Sequence, residues 1–271
     1  GLRSAEIRVV DAHTYAEIAS WKAHDEKHAA LQAVQVAPDA HAVVSVGTDA
    51  THKHPQLRVW RMEAHDTETR AAPTLLVQTR LQHGPHPSRV NALAVQAELA
   101  LVAAGFEDGK VLLIRDVAAI AADGGQLRVK VARDAAQIDE PDDQAESPDG
   151  VTALTFVQSA EHTVHLLIAT VSKVLRYTVL GAGAGGAPAV VDTIGCAPGC
   201  AVPFLACAGE ALDQIPLESG PGGVAAAQAA AADLSYKLVL ARDEAIYVVG
   251  FEGREASIAL EGPKMRLHRL Q

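Results

Sequence analysis

Apolar and polar residues alternate along this chain in short runs, and one of those runs recurs. Leu31-Gln32-Ala33-Val34-Gln35-Val36, Val90-Asn91-Ala92-Leu93-Ala94-Val95 and Val151-Thr152-Ala153-Leu154-Thr155-Phe156 share a single pattern with a small Ala in third place. Their starts lie 59 and 61 residues apart. A fixed period of tens of residues marks a repeat architecture in which each unit buries its apolar face against the next. A second apolar run follows each start, at Ala42 to Val46, Leu99 to Ala104 and His165 to Thr170. After a turn comes a third: Leu57-Arg58-Val59-Trp60, Val111-Leu112-Leu113-Ile114 and Val174-Leu175-Arg176-Tyr177.

A fourth run closes each unit at Leu75 to Thr79, Leu127 to Val131 and Ala189 to Thr193. These alternate most clearly, as an outer strand with one wet face should. A later unit repeats the theme at Lys237 to Ala241, Ala245 to Val249 and Ser257 to Leu260. Four strands per repeat is the composition of a propeller blade, so the pattern predicts an all-β, WD40-like β-propeller. Repeat starts fall near 31, 90, 151, 201 and 263 of one domain spanning 1–271, with the end of a further blade before residue 21. The expectation is about four blades of a ring of about seven, cut at both ends.

The turns between second and third strands carry Asp49, Asp108 and Asp243, expected as structural turn residues whose carboxylates bond backbone amides. Gly109 follows Asp108 and supplies the positive φ of a tight hairpin. Trp60 stands where the Trp of a Trp-Asp dipeptide would fall, with Arg61 in place of the Asp. Three insertions interrupt the pattern at 134–150, 181–188 and 213–232. The first is acidic and without basic residues, which reads as a solvated rim loop, since no calcium-loop spacing is present. In the second, Gly181-Ala182-Gly183-Ala184-Gly185-Gly186 satisfies a dinucleotide fingerprint in letters, but Ala187-Pro188-Ala189-Val190-Val191 leads to a strand where a helix is required. It reads as a flexible linker. Ala225 to Ala232 can form a short helix within the third or remain loose.

Composition narrows the function. Apolar residues are 49% of the chain and aromatics 4%, so the core is built mainly of Ala, Val and Leu. A formal net charge of −10 opposes a nucleic-acid partner, whose phosphates require clustered Lys and Arg. No apolar run reaches the roughly 18 to 20 residues that span a bilayer, so direct membrane insertion is not expected. Cys196, Cys200 and Cys207 read as reduced thiols, buried or in turns, and not as zinc ligands, because no second pair is present. The twelve histidines, with His24 and His28 at helical spacing and His52 and His54 near a hairpin tip, read as exposed loop residues. No nucleophile elbow, phosphate loop or carboxylate pair marks a catalytic residue, and no small-molecule substrate or cofactor is expected.

Several words of the chain are more specific than a WD pattern. Val90 to Val95 followed by Ala104-Gly105-Phe106-Glu107-Asp108-Gly109-Lys110-Val111, then Ile194-Gly195-Cys196-Ala197-Pro198-Gly199-Cys200-Ala201, Arg242-Asp243-Glu244-Ala245-Ile246-Tyr247 and Leu260-Glu261-Gly262-Pro263-Lys264, resemble the vacuolar protein sorting-associated protein eleven family. The likeness is strongest from about 85 to 265; the 134–150 and 213–232 insertions are longer than usual, and Ala256-Ser257-Ile258 departs from it. The resemblance implies a class C core subunit of the HOPS and CORVET tethering complexes, at late endosomes and vacuoles or lysosomes, whose partners are the other tethering subunits. It places zinc in a C-terminal RING-type domain and not in these residues. An adaptor in another assembly, such as a ubiquitin-ligase substrate receptor, is the main alternative. A propeller enzyme is a third, and would gather polar residues from several blades at the central channel.

Overall fold

The computed structural model describes residues 5–24, 30–37, 40–48, 53–62, 73–96, 100–117, 128–133, 149–158, 163–181, 183–207, 234–250 and 253–259, with backbone only for 128–133, 202–207 and 234–236. Strands β1 (Glu6–Val10) and β2 (Glu17–Lys22) pair into a two-stranded hairpin. Four antiparallel sheets follow, each a meander in chain order. The first contains β3 (Ala30–Ala37), β4 (Ala42–Thr48), β5 (Gln56–Arg61) and β6 (Thr74–Arg80). In the second are β7 (Val90–Val95), β8 (Leu101–Phe106), β9 (Val111–Arg115) and β10 (Arg128–Arg133). The third holds β11 (Val151–Gln158), β12 (Val164–Thr170), β13 (Val174–Leu180) and β14 (Ala189–Asp192). β15 (Ala201–Cys207), β16 (Leu234–Ala241), β17 (Ala245–Val249) and β18 (Arg254–Ala259) make the fourth.

The core lies between sheets. Because side chains alternate across a strand, a middle strand serves two interfaces: Val102, Ala104 and Phe106 of β8 pack toward the first sheet, while Leu101 and Ala103 pack toward the third. In β9, Leu112 and Ile114 face one neighbour and Val111 and Leu113 the other. This is why the second and third runs of this unit, Leu101 to Phe106 and Val111 to Ile114, are apolar without interruption. A third cluster joins the third and fourth sheets, and a fourth fastens the β1–β2 hairpin to the first.

Stacked this way, β3, β7 and β11 lie side by side along a channel, and β15 packs against β11. Successive meanders arranged face to face, with first strands innermost, form the all-β propeller that the alternation predicts. β15 tolerates Pro203 because it is paired on one side only, where a missing N–H breaks no ladder. Outer strands expose apolar side chains instead: Val190 is 54% and Ile258 57% exposed.

The hairpin covers Val43 and Trp60 of the first sheet. Val34 and Val36 of β3 remain exposed, whereas Leu93 and Val95 at the same places of β7 pack into the neighbouring cluster. Residues 134–148, 208–233 and 260–271, and with them most of two expected insertions and the repeat start near 263, lie outside the described residues. The glycine segment after β13 is a run of hydrogen-bonded turns rather than a loose linker: Gly185 N donates to Thr178 O at 3.2 Å and Ala184 N to Gly181 O at 3.2 Å. A strand, β14, follows it.

Candidate functional site

The channel has a volume of about 710 Å³. Its polar groups are Gln32 and Gln35 from β3, Asn91 and Gln96 from β7 and its end, and Thr152 and Thr155 from β11, set among Ala, Val, Leu and Phe. Among the described residues no acid, base or thiol lines it. Proton transfer needs a titratable group within hydrogen-bond reach of the reacting atom, and amides and hydroxyls alone do not supply one. Gln32 is moreover tied into the wall, since Val90 N donates to its Oε1 at 3.0 Å.

The turns differ from one sheet to the next. At the second sheet, Asp108 Oδ1 accepts from Lys110 N at 3.2 Å, Gly109 takes φ +83°, and Phe106 N donates to Lys110 O at 2.9 Å. Asp49 lies outside the described residues. Asp243 is exposed in a turn closed by Arg242 N donating to Ala245 O at 2.9 Å and by an Arg242–Glu244 ion pair at 2.8 Å. The third sheet has no Asp in its own Val171-Ser172-Lys173 turn. Asp149, at the end of the acidic insertion, reaches across to fill that place: its carboxylate accepts from Ser172 N at 3.0 Å and from Thr170 Oγ1 at 2.9 Å, and Lys173 Nζ lies 3.9 Å away. The missing turn Asp, with Asp149-Gly150 directly before β11, is the sequence signal that could have pointed to it.

Linkers that leave an outer strand drop a side chain into the joint between neighbouring sheets. Just past β2, His24 is buried, with its Nε2 3.3 Å from Ser45 Oγ, which accepts from Trp60 Nε1 at 3.0 Å. Gly47 makes room, since a Cβ there would stand 2.8 Å from the His24 ring. Arg58 Nη1 donates to Ala23 O at 2.6 Å in the same joint. Past β6, His83 packs edge-on to Phe106 with ring centres 4.3 Å apart, and its Nε2 lies 3.6 Å from Asp108 Oδ2. Burial holds the His83 imidazole below its usual pKa, against the opposing pull of Asp108. Past β14, the Cys196 thiol is buried 3.7 Å from Thr152 Oγ1, and burial pushes its pKa up, which makes it an unreactive thiol.

The expectation of exposed loop histidines is therefore corrected at His24 and His83, whose loops cross between sheets so that the next blade covers their side chains, and at His165, which is buried within β12. His28 and His52 lie outside the described residues. Among the described residues no three His, Cys, Asp or Glu gather to hold a metal ion.

At the rim, Arg254 of β18 clamps Asp192 at the end of β14 with two bonds, Nε to Oδ2 at 2.8 Å and Nη2 to Oδ1 at 2.6 Å, joining the third and fourth sheets. The Arg254 clamp holds the Asp192 carboxyl below the usual carboxylate range, although its burial works the other way. A depressed folded pKa contributes stability that is present above the ordinary carboxylate value, about 4, and is lost as pH falls through the folded one. Asp192→Ala is thus expected to lower the melting temperature by a few degrees at pH 7, with the gap to the parent chain closing below about pH 4. Calorimetry across pH 2–7 checks it, and a gap constant down to pH 2 contradicts it.

Stacked sheets with interlocked joints describe a rigid framework. Residues 1–208, more than three quarters of the chain, match the family model described as PEP5/VPS11 N-terminal. The chain belongs to the PEP5/VPS11 N-terminal family. Membership ties this propeller to vacuolar protein sorting and to the multi-subunit sorting complexes of that family. The match takes in residues before 85, where the recognisable words are sparse, and ends before Arg242-Asp243-Glu244-Ala245-Ile246-Tyr247. Within the PEP5/VPS11 match, the Ile194 to Ala201 segment is the joint that seats Cys196 on the third sheet. No curated protein matches the chain. Among the described residues no helix is long and apolar enough to cross a membrane.

Proposed function

We propose that this chain is a non-catalytic scaffold propeller of an endosomal or vacuolar membrane-tethering subunit, acting through protein contacts in vesicle docking and fusion. The observation that carries the reading is the PEP5/VPS11 match over 1–208. The structure supports it in two ways. Interlocked sheets present their rims without internal rearrangement, and outer strands display apolar side chains such as Val190 and Ile258 where a partner can cover them. Partners in this reading are the other subunits of HOPS and CORVET, at the cytoplasmic face of late endosomes and vacuoles or lysosomes. The reading requires no cofactor here, zinc belonging to a RING-type domain of the family.

Affinity purification of the full-length tagged protein from its own cells is expected to bring down the other class C subunits in stoichiometric amounts and to enrich with vacuolar or endosomal membranes. Recovery with a ubiquitin ligase instead would favour the adaptor reading. Recovery without any tethering subunit sinks the proposal.

A further inference from the structure

The β1–β2 hairpin ends in a tip, residues 12–17, that is exposed throughout. At its crest Tyr15 is 81% exposed and takes φ +57°, in the left-handed region. A bulky side chain enters that region at an energetic cost and stays there only where its surroundings impose it. They do so here. Asp11 Oδ1 accepts three bonds, from His13 N at 3.0 Å, Thr14 N at 2.7 Å and Thr14 Oγ1 at 2.9 Å. Tyr15 N donates to Asp11 O at 2.9 Å and Asp11 N to Ala16 O at 2.9 Å, so the crest is closed from both sides. Below it, Ile7, Ala19 and Trp21 bolt the stem to the first sheet.

Among the described residues no side chain covers the Tyr15 ring, which is 81% exposed. A rigid, strained and exposed aromatic fits two uses, chemical modification or contact. A tyrosine-modifying enzyme must draw its target into an extended backbone, which the Asp11 bonds oppose. Contact is favoured by the same bonds, because a backbone held in place loses little entropy on binding and tyrosine has few rotatable bonds. Exposed Glu17 beside the tip and the −10 net charge favour a cationic counterpart, and a tyrosine face attracts guanidinium and ammonium groups.

We propose that the hairpin tip is a preformed docking site in which Tyr15 inserts into an apolar cleft rimmed by Lys or Arg on another subunit of the tethering complex. This rests on the tethering reading. The test reconstitutes that complex from purified subunits with the full-length protein, carrying either a benzophenone amino acid at position 15 or one of the variants Tyr15→Gly and Tyr15→Phe. The expected result is a crosslink from position 15 to a Lys- or Arg-containing peptide of one subunit. Tyr15→Gly should weaken binding to that subunit at least about tenfold, as truncation of an interface anchor does. Tyr15→Phe should keep most of the affinity. The melting temperature of Tyr15→Gly should be equal to or above that of the parent chain, because glycine takes positive φ freely. If the complex assembles but position 15 crosslinks to nothing and Tyr15→Gly binds normally, the inference is overturned. A lower melting temperature for Tyr15→Gly also overturns it, by giving the ring a structural role. Failure of the complex to assemble at all removes the tethering reading and this inference with it.

Discussion

Phe106→Ala is expected to lower the free energy of unfolding by about 3–5 kcal/mol, the range for emptying a large aromatic site in a core. Phe106 is fully buried at the end of β8, in the cluster between the first and second sheets, with His83 edge-on to its ring. Its backbone also closes the Asp108 turn, accepting from Gly109 N at 3.1 Å. Two sheets and a linker therefore meet at one side chain. The walls of the cavity are strands paired on both sides, such as β4 and β5, and those cannot collapse inward without breaking ladders. Phe106→Leu keeps most of the volume and should cost about 1–1.5 kcal/mol. Urea unfolding of the two variants checks both values. A cost below about 1 kcal/mol for Phe106→Ala would falsify the picture of an unyielding joint.

Phe106 also shows why the blades were legible in the sequence. It ends an apolar run, precedes Asp108-Gly109, and sits in a repeat whose period fixes which strand it occupies. The alternation within β7 and the unbroken runs of β8 and β9 follow from pairing inside one sheet and burial on one or two faces, and both leave a local pattern. His83, which completes the same core, leaves none. Its surroundings, His83-Gly84-Pro85-His86-Pro87, have the composition of an exposed loop. The loop must pass from the rim of one sheet to the innermost strand of the next, and the shortest route presses a side chain onto the next blade.

His24, His83 and Cys196 all occupy such crossings, and two different residue types, His and Cys, do the same job. Only a contact between neighbouring blades distinguishes them from surface residues, and that contact has no period within the loop. Asp149 is a second case. Its acidic neighbours made it look like one more solvated charge, yet its position is set by the turn of the third sheet, which lacks an Asp of its own. Pro203 argues against a strand from composition alone, and becomes acceptable only once β15 is known to have one free edge. The strands were thus readable because their causes are local, and the joints were hidden because theirs are not.

Those joints make Trp60 the most consequential residue of the first sheet. Trp60→Ala is expected to cost about 3–5 kcal/mol and Trp60→Phe about 1–2 kcal/mol. The indole packs 6.0 Å from Trp21 at an interplanar angle of 59°, fastening the β1–β2 hairpin to β5. Its Nε1 donates to Ser45 Oγ, which also meets His24, so one side chain ties hairpin, linker and sheet together. Phe retains the ring contact and loses the donor. If the hydrogen bond is the cause of the smaller loss, Trp60→Phe combined with Ser45→Ala should cost about 1 kcal/mol less than the two changes added, because each alone already removes it. Additive losses would instead assign the cost to shape. The larger truncation should also act locally. Among the described residues the apolar packing of the hairpin on the first sheet runs through this cluster, so in Trp60→Ala hydrogen exchange should quicken at Ile7, Val9, Ala19 and Trp21, while β8, β9 and β12 stay protected between their neighbours. Exchange that quickens equally in all sheets would mean that the hairpin and the blades unfold as a single unit.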